Sequence, residues 1–408
     1  MTTQFSSPHS LPVREQEPAS KDISVSLGIP HLGSPHQGDA SAQLPKDLPA
    51  ANADGTRSLR DKFGRVARDL RVSLTDRCNL RCTYCMPAEG LEWMATEHTL
   101  NDEEVIRLIS LAVTRLGIRQ IRFTGGEPLL RKSLEYIVSE TKKLRTDEGI
   151  SPSVALTTNG LGLDRRAEKL VRAGLDRVNI SLDTIDKQRY AQLTRRDRLD
   201  GVFKAIDAAI NAGLNPVKIN AVVMPGINED DIVPLAKFAL RKGAQLRFIE
   251  QMPLGPREQW KRADMITAED ILNRLSAKLQ LTPAEEPRGS APAQLWNASF
   301  TETADPASVA DAQGTREHVY AGSIGVIASV TRPFCGDCDR TRLTTDGAVR
   351  NCLFGNSETS LRDLMRSGAS DDELLAAWAG EMWRKKPGHG MDDEGFLQPD
   401  RPMSAIGG

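Results

Sequence analysis

Six short β-rich runs between residues 60 and 282, most of them separated by helical patterns, predict an α/β fold with a parallel sheet. This periodicity alone leaves two arrangements open, an open doubly wound sheet and a barrel. Polar residues at the carboxyl ends of several runs favour the barrel, because barrels place their chemistry at that rim, although open sheets also bind ligands there. We therefore predict a partial (β/α)6 barrel of the TIM type. The runs are 70–75, 120–124, 154–158, 177–183, 217–224 and 245–252, and the polar end residues are Thr124, Thr157, Thr158, Asn159, Ser181, Asp183 and Glu250.

The helices between the runs have recognisable ends. Asn101 is a good N-cap, and Glu104 stands at the position that completes a capping box. Apolar residues at helical spacing follow, and Gly117 is a typical stop. Residues 200–212 show the same pattern and end at Gly213. Both segments are therefore predicted to be amphipathic helices that cover the sheet.

Composition excludes several classes of protein. The 408 residues include 53 Lys and Arg against 55 Asp and Glu, a net charge of −2. A general nucleic-acid binder usually carries a clear basic excess, so we expect no nucleic-acid partner. No stretch approaches the ~20 consecutive apolar residues that a membrane helix needs, and mean hydropathy is −0.38, so we expect no membrane partner.

The cysteines fall into two groups of three with none left over. Cys78, Cys82 and Cys85 form the first triplet, and Cys335, Cys338 and Cys352 form the second. Six cysteines in a chain of this length are too few for a disulfide-rich secreted scaffold. The pattern favours two inorganic sites in a reducing compartment, and we expect a cytoplasmic protein.

Two segments differ in composition from the rest of the chain. Residues 1–57 are rich in Pro and lack apolar periodicity, which predicts a disordered N-terminal extension. Residues 283–317 are rich in Ala, Pro, Ser, Thr and acids, which predicts a polar linker or surface excursion. The predicted barrel then spans residues 58–282, and a C-terminal domain spans residues 318–408.

The first triplet has the spacing Cys-x3-Cys-x2-Cys in the loop after the first run. Three thiolates can hold three corners of one iron–sulfur cubane, whose fourth iron is then open to a reacting ligand, whereas ordinary clusters take four cysteines. The alternatives are a zinc site or packed core cysteines. Structural zinc sites are four-coordinate, and the nearest histidine is His98.

This triplet, with Tyr84 before its last cysteine, resembles the signature of the radical S-adenosylmethionine superfamily. Thr124-Gly125-Gly126-Glu127-Pro128 resembles the segment with which that superfamily binds the methionine part of its cofactor. Two glycines would let the backbone approach a ligand closely, and Glu127 could accept a hydrogen bond from the ammonium group.

The second triplet also lacks a fourth cysteine. Zinc would need His318, His389 or an aspartate as its fourth ligand. Arg340 and Arg342 follow Cys338 directly, and guanidinium groups suit an anionic ligand beside a metal. No Walker-A motif occurs in the chain, so a nucleotide is not expected to bind as it does in switch GTPases.

Together, the two cysteine motifs, the Gly-Gly-Glu-Pro segment and the terminal Gly407-Gly408 pair resemble the GTP 3′,8-cyclase family over residues 60–408. The resemblance implies two [4Fe–4S] clusters, S-adenosylmethionine and GTP. It implies that a 5′-deoxyadenosyl radical removes the C3′ hydrogen of GTP. The product would be (8S)-3′,8-cyclo-7,8-dihydroguanosine 5′-triphosphate, in the first step of molybdenum-cofactor biosynthesis. The second cluster would hold the guanine, and the glycine tail would reach into the active site.

The resemblance also assigns residues. Each cysteine triplet would ligate one cluster. The implied S-adenosylmethionine contacts are Tyr84, Gly126, Ser181 and Met252. The implied GTP contacts are Arg71, Arg122, Thr157, Lys218, Arg340 and Arg342, with Arg247 as a further candidate. No catalytic side chain is implied beyond the radical site. Lys218 has a simpler interpretation as a solvated lysine at a strand start, and Met252 as a core residue.

The resemblance further implies a homodimer, an electron donor of unidentified nature, and transfer of the product to the cyclic pyranopterin monophosphate synthase. Two other classes remain as alternatives. One is a peptide-modifying maturase of the same superfamily, which would usually carry more cysteines beyond the first triplet. The other is a zinc-stapled binding module, which the presence of iron and sulfide would exclude.

Overall fold

The computed structural model describes residues 44–254, 260–303, 317–394, 396, 398–399, 401 and 403–407. Its centre is six parallel strands that lie side by side in chain order. These are β1 (Asp69–Ser73), β2 (Gln120–Thr124), β3 (Ser153–Thr158), β4 (Arg177–Ser181), β5 (Val217–Val223) and β6 (Gln245–Glu250). A doubly wound sheet reverses its strand order at a switch point, and this row does not. The prediction of a partial barrel is confirmed.

Helices cover the outside of this row. They are α1 (Asp102–Arg115), α2 (Leu134–Lys143), α3 (Ala167–Ala173), α4 (Lys187–Thr194), α5 (Leu199–Asn211), α6 (Ile232–Arg241) and α7 (Ala268–Ser276). The first begins where the sequence predicted, because the Asn101 side chain accepts from the Glu104 N–H and the Glu104 carboxylate accepts from the Asn101 N–H. Apolar side chains of strands and helices form one core between the two layers.

The C-terminal part of the chain extends both edges of the row. It contributes β7 (Gln280–Pro283), β8 (Gln294–Thr303), β9 (Glu317–Ile327), β10 (Arg340–Leu343), β11 (Ala348–Arg350) and β12 (Thr359–Ser360), with α8 (Leu361–Arg366), α9 (Asp371–Trp383) and α10 (Met403–Ile406). Strand β9 pairs in parallel with β6, and β10 pairs in parallel with β1. The segment 328–339 therefore connects the two edges, and it carries Cys335 and Cys338.

The expectation of a polar linker over residues 283–317 is wrong where β8 forms. Ala298 and Phe300 are buried while Asn297 and Thr301 are exposed, so the strand alternates between a core face and a solvent face. The polar average of the segment concealed this alternation. Residues 304–316 of the predicted linker lie outside the described residues.

The expectation of disorder over residues 1–57 also needs correction at its end. Residues 1–43 lie outside the described residues, but residues 44–57 are described, and the end of this segment is hydrogen-bonded to α1. The Arg57 N–H donates to the Arg115 carbonyl at 2.9 Å, and the Arg115 guanidinium donates to the Gly55 carbonyl at 2.7 Å. These bonds give the segment polar partners that its composition did not indicate. None of the helices in the described ranges is long and apolar enough to cross a bilayer.

Candidate functional site

The first cysteine triplet lies in the loop after β1, at the carboxyl rim of the barrel. All three thiols are free and partly buried. Burial raises the pKa of Cys78, and it raises the pKa of Cys85 to about 12. Burial, followed by the nearby Cys85 and Asp183, raises the pKa of Cys82 well above its usual value. Three such thiols are stable as thiolates only beside a strong positive charge, which iron supplies.

Across the described ranges, no three His, Cys, Asp or Glu side chains converge closely enough to hold a single metal ion. In an iron–sulfur cubane each thiolate binds a different iron, so the ligand sulfur atoms lie farther apart than they do around a single ion. The thiols of both triplets are therefore suitable donors for a cluster, and the lack of a single-ion site among the described residues does not argue against one.

The first cysteine loop is docked on the carboxyl end of α4. The N–H groups of Arg81 and Thr83 donate to the last carbonyls of that helix. In return, the Arg195 guanidinium donates to the carbonyls of Arg81 at 2.8 Å and Met86 at 3.2 Å, on either side of the last two cysteines. Arg195 has φ 54°, a left-handed conformation that is costly for a residue with a Cβ. Its strained backbone and its two bonds indicate that Arg195 fixes the loop.

The Gly-Gly-Glu-Pro segment after β2 contacts this same loop. A Cβ on Gly125 would lie 2.3 Å from the Thr75 carbonyl oxygen, and one on Gly126 would lie 2.3 Å from the Arg77 carbonyl oxygen. The Gly126 N–H donates to the Thr75 carbonyl at 2.7 Å. In the structure the glycines permit the close approach of backbone 75–77, and the contact of Gly126 with the cofactor stays a prediction.

Glu127 is fully buried, and its carboxylate accepts three hydrogen bonds from its own chain. They come from the N–H of Leu129 at 2.9 Å, the hydroxyl of Thr158 at 2.7 Å and the N–H of Asn159 at 2.8 Å. Burial raises the pKa of Glu127 to about 7. We expected this carboxylate to accept from a ligand ammonium. In the structure it ties the end of β2 to the end of β3, and its contact with a ligand ammonium stays a prediction.

The residues predicted to contact S-adenosylmethionine lie at the carboxyl ends of several strands. Tyr84 donates its hydroxyl to Asp183 Oδ2 at 2.8 Å, and Asp183 Oδ1 accepts from the Val222 N–H at 2.8 Å. Burial raises the pKa of Asp183 to about 6. Ser181 ends β4, and Met252 follows β6. Their contact with the cofactor stays a prediction.

Arginines from neighbouring strands face the lumen of the barrel. In the strand register, Arg71 lies between Arg342 on β10 and Arg122 on β2. Asp69, two residues earlier on the same face, has its carboxylate 3.7 Å from Arg122 and 3.9 Å from Arg340. The predicted GTP contacts on these three strands are therefore assembled around one carboxylate.

Burial and mutual repulsion depress the basicity of this group. Burial, then the nearby Arg122 and Arg342, holds the pKa of Arg71 well below its usual value. Burial, then Arg247 and other arginines, lowers the pKa of Lys218 to about 7. Burial also lowers the pKa of Arg247 to about 9 and of Arg342 to about 10. The lumen therefore holds more buried positive charge than the carboxylates beside it neutralise.

The same imbalance is visible in hydrogen bonding. Among the described side chains, the Nε atoms of Arg71, Arg122 and Arg340 are buried without a hydrogen-bond partner. Although burial alone would raise the pKa of Asp69, Arg122 and Arg71 lower it below its usual value. Orphaned buried donors are costly, so the arrangement fits an anionic ligand with many acceptor oxygens.

Arg177 belongs to this group although our sequence analysis did not select it. Its guanidinium donates to Gln120 Oε1 at 2.9 Å and to Ser153 Oγ at 3.1 Å. Burial, then Arg122, lowers its pKa. The signal was available, because residues two apart on a strand share a face, and Arg177 therefore lies on the same face of β4 as the polar residues Asn179 and Ser181.

Thr157 and Asn179 continue the polar lining above the arginines. The Asn179 side-chain amide donates to Thr157 Oγ1 at 3.1 Å, and Lys218 is the register partner of Asn179 on the next strand. Lys218 is thus lumenal rather than a solvated strand start. Lys218 is close enough to Arg247, Arg177 and Arg122 for their charge to lower its pKa, and the contact of Thr157 and Lys218 with GTP stays a prediction.

The second triplet lies at one end of the antiparallel pair β10 and β11, because Cys335 and Cys338 precede β10 and Cys352 follows β11. Burial, then Cys352 and Cys338, raises the pKa of Cys335. Burial alone would also raise the pKa of Cys338, but Lys385 and Arg340 lower it below its usual value. Arg340 Nη1 lies 3.8 Å from Cys338 Sγ, so a cation stands beside this sulfur as the sequence indicated.

Two buried side chains hold the second cysteine motif in place. Arg65 donates to the Cys335 carbonyl at 2.7 Å and to the Pro387 carbonyl at 2.9 Å. Glu250, at the end of β6, accepts from the N–H groups of Val330 at 2.8 Å and Thr331 at 2.9 Å, just before Cys335. Glu250 therefore has a structural role, and its sequence position at a strand end did not distinguish this from a ligand contact.

The C-terminal tail reaches the carboxyl rim of the barrel, the rim at which the first cysteine triplet lies. Gly407 is buried with φ 81°, and a Cβ there would lie 2.7 Å from Thr124 Cγ2 and 3.3 Å from Ser73 Cβ. Its carbonyl accepts a hydrogen bond from Arg342. The penultimate glycine thus lies at the carboxyl ends of β1 and β2, as the resemblance implied, whereas Gly408 lies outside the described residues.

Comparisons with known proteins agree with this geometry. Residues 72–239 match the radical SAM superfamily, and residues 244–391 match the family described as Molybdenum Cofactor Synthesis C. A GTP 3′,8-cyclase of Corynebacterium glutamicum (strain R) is 70% identical over 90% of this chain and 94% of its own. A GTP 3′,8-cyclase of Mycobacterium sp. (strain KMS) is 54% identical over 88% of this chain and 96% of its own.

Among solved structures, SuiB of Streptococcus suis matches with a TM-score of 0.50 and 13% sequence identity. The match covers 81% of this chain and 68% of SuiB. At this identity the likeness concerns the fold alone. The two family matches meet between residues 239 and 244, before β6, whereas we placed the end of the barrel at residue 282. The domain boundaries stay a prediction.

Proposed function

This chain belongs to the GTP 3′,8-cyclases, a family of the radical S-adenosylmethionine superfamily, and we propose that its barrel lumen holds GTP between two cysteine-bound clusters. The enzyme takes part in molybdenum-cofactor biosynthesis and uses [4Fe–4S] clusters and S-adenosylmethionine. When bound, these groups would supply the 5′-deoxyadenosyl radical that removes the C3′ hydrogen of GTP. Closure of C3′ onto C8, with uptake of one electron from the reductant and one proton, would give (8S)-3′,8-cyclo-7,8-dihydroguanosine 5′-triphosphate. Relatives that are 70% and 54% identical to this chain are GTP 3′,8-cyclases, which favours this function over a peptide maturase and a zinc module.

The observation that carries the assignment of the lumen is its excess of buried cations around Asp69. A triphosphate brings about four negative charges near neutral pH, by analogy with phosphate ionisation. It supplies acceptors for guanidinium donors that lack partners inside the protein. The proposed triphosphate and ribose contacts are Arg71, Arg122, Thr157, Arg177, Lys218, Arg247, Arg340 and Arg342.

The cysteines divide by position. Cys78, Cys82 and Cys85 hold the first cluster in a loop that Arg195 and Gly126 fix to the barrel. Cys335, Cys338 and Cys352 hold the second cluster where the connection between the two sheet edges meets β10 and β11. GTP lies between the two triplets, so the lumenal side chains orient the ribose while the rim excludes water.

The rim residues bind S-adenosylmethionine in this proposal. Tyr84 is held by its hydrogen bond to Asp183, which keeps its ring beside the first triplet. Gly126, Ser181 and Met252 complete the set from the ends of β2, β4 and β6. The cofactor then lies above the lumenal cations, with GTP below it.

The proposal extends to location and assembly. Six free thiols, none of them in a disulfide, support the cytoplasm, where thiols stay reduced. Family membership supports a homodimer and transfer of the product to the cyclic pyranopterin monophosphate synthase.

Iron and sulfide analysis of anaerobically reconstituted protein tests the ligand assignment. The wild type should bind about eight irons per chain, and replacing either cysteine triplet by alanine should leave about four. Loss of all the iron when only one triplet is replaced, or binding of zinc in place of iron, would contradict the assignment of two separate clusters.

A further inference from the structure

Lys385 is a buried lysine at the second cysteine motif. It follows α9 and is 4% exposed. Its ammonium donates to the Arg340 carbonyl at 3.0 Å, to the Cys338 carbonyl at 3.3 Å and to Cys338 Sγ at 3.3 Å. All three donor positions of the ammonium are therefore occupied, and one of them is directed at a sulfur that we assign to the second cluster.

The charge of Lys385 has no carboxylate partner among the described residues, although lysine is almost never fully buried unless it is paired. The other cation beside the same sulfur is Arg340, whose Nη1 lies 3.8 Å from Cys338 Sγ. Arg340 also has the carboxylates of Asp69 and Asp339 at 3.9 and 3.8 Å, so among the described residues the Cys338 sulfur is left as the counter-charge of Lys385, a role that it fills as a cluster ligand.

We propose that Lys385 is a positioning residue that orients Cys338 and raises the reduction potential of the second cluster by donating an N–H···S hydrogen bond. The inference rests on the proposed function, because it takes Cys338 as a cluster ligand. Hydrogen bonds to ligand sulfurs and nearby charge set cluster potentials. A fixed ammonium stabilises the cluster more after it gains an electron, since its negative charge is then larger.

Arg340 is less suited to this role than Lys385. Arg340 lines the lumen next to Asp69, so we assign its charge to GTP as well. Lys385 contacts backbone and sulfur, and none of its described hydrogen bonds goes to a lumenal side chain. Replacing Lys385 should therefore change the cluster while leaving the nucleotide contacts in place.

The test is a potentiometric titration of the holoenzyme, followed by electron paramagnetic resonance, in wild type and Lys385→Met. The first cluster, in the same chain, is the internal reference. We expect the reduced-to-oxidised ratio of the second cluster at a fixed potential to fall about tenfold, which for one electron is about 59 mV. The midpoint of the first cluster should not move. Lys386→Met, at the adjacent exposed position, is the matched control and should leave both midpoints unchanged.

An unchanged second midpoint in Lys385→Met with full iron content would overturn the inference. If Lys385→Met loses the second cluster, Lys385→Arg decides, because it keeps the charge and the donors. Recovery of the cluster in Lys385→Arg supports the inference, and continued loss overturns it. Failure of the proposed function gives a different result, since the wild type would then bind only about four irons or keep its second cluster in Cys338→Ala.

Discussion

Arg342 donates a hydrogen bond to the backbone carbonyl of Gly407, so the C-terminal tail is fixed to the strand that follows the second cysteine motif. The same glycine contacts the ends of β1 and β2 through Thr124 and Ser73. Gly407 therefore contacts the ends of β1 and β2, near the first cysteine triplet, and also β10, which follows Cys338. A side chain at this point would have to displace either the tail or the rim.

Gly407→Ala should lower kcat/KM at least tenfold while both clusters are retained. The added Cβ would lie 2.7 Å from Thr124 Cγ2, in a backbone with φ 81°. The matched control is Gly368→Ala, at φ 92° with nothing within 4 Å, which carries the backbone strain without the collision. Product formation and iron content are the measurements. Equal activity of the two variants would show that the tail position is not needed.

GTP binding should weaken as pH rises above 7. Burial and nearby arginines lower the pKa of free Lys218 to about 7, so Lys218 is charged below that pH and neutral above it. A bound triphosphate favours the charged form, and binding therefore takes up a proton at higher pH. Between pH 7.5 and 9 the Kd should rise by up to about tenfold per pH unit, as one linked proton predicts.

Calorimetry in buffers of different ionisation enthalpy would measure this proton uptake directly. Lys218→Met should bind GTP more weakly and lose the pH dependence, whereas the exposed Lys278→Met should behave as the wild type does. A Lys218→Met protein with the wild-type pH dependence would assign the proton to another group.

Asp69→Asn should destabilise the ligand-free protein and increase the stabilisation by GTP. The carboxylate is buried beside Arg122 and Arg340, and removing one partner of a buried ion pair costs up to about 3–5 kcal/mol. The triphosphate would then replace the lost negative charge. Thermal unfolding should show a lower Tm without GTP and a larger increase in Tm with it. Exposed Asp164→Asn is the control, and a smaller GTP-induced increase in Asp69→Asn than in the wild type would contradict the proposal.

Arg195→Met should reduce binding of the first cluster alone. The guanidinium fixes the carbonyls of Arg81 and Met86, and loss of such supporting contacts typically costs 10- to 100-fold in metal affinity. Iron content should fall from about eight towards about four per chain, with the second cluster intact. The neighbouring exposed Arg196→Met should keep its iron. Full iron content in Arg195→Met would show that the cysteine loop keeps its conformation without the hydrogen bonds of Arg195.

Much of the fold followed from local patterns. The capping box at Asn101 and the alternation along β4 concern residues close in sequence, so their spacing predicts them. The resemblance gave Arg71 and Arg122 as GTP contacts, and the structure shows that they are register partners on β1 and β2. Strand β8 was missed because its alternation lies inside a stretch of polar composition.

The residues that support the site could not be predicted in this way. Lys385 contacts a residue 47 positions away, and Arg195 contacts one 114 positions away. Neither pair has a local pattern, because the tertiary fold alone brings them together. Glu250 was recognised as a polar residue at a strand end and Glu127 as part of the Gly-Gly-Glu-Pro segment. The structure was needed to show that backbone amides and threonine hydroxyls donate to their carboxylates.

The central claim is that this lumen presents C3′ of GTP to the radical. The direct test uses anaerobically reconstituted protein with S-adenosylmethionine, a reductant and GTP deuterated at C3′, and mass spectrometry of the 5′-deoxyadenosine that forms. We predict that deuterium appears in 5′-deoxyadenosine, and that Arg71→Met lowers this transfer while the clusters remain. Formation of 5′-deoxyadenosine without deuterium, with both clusters intact, would contradict the assignment of the lumen to GTP.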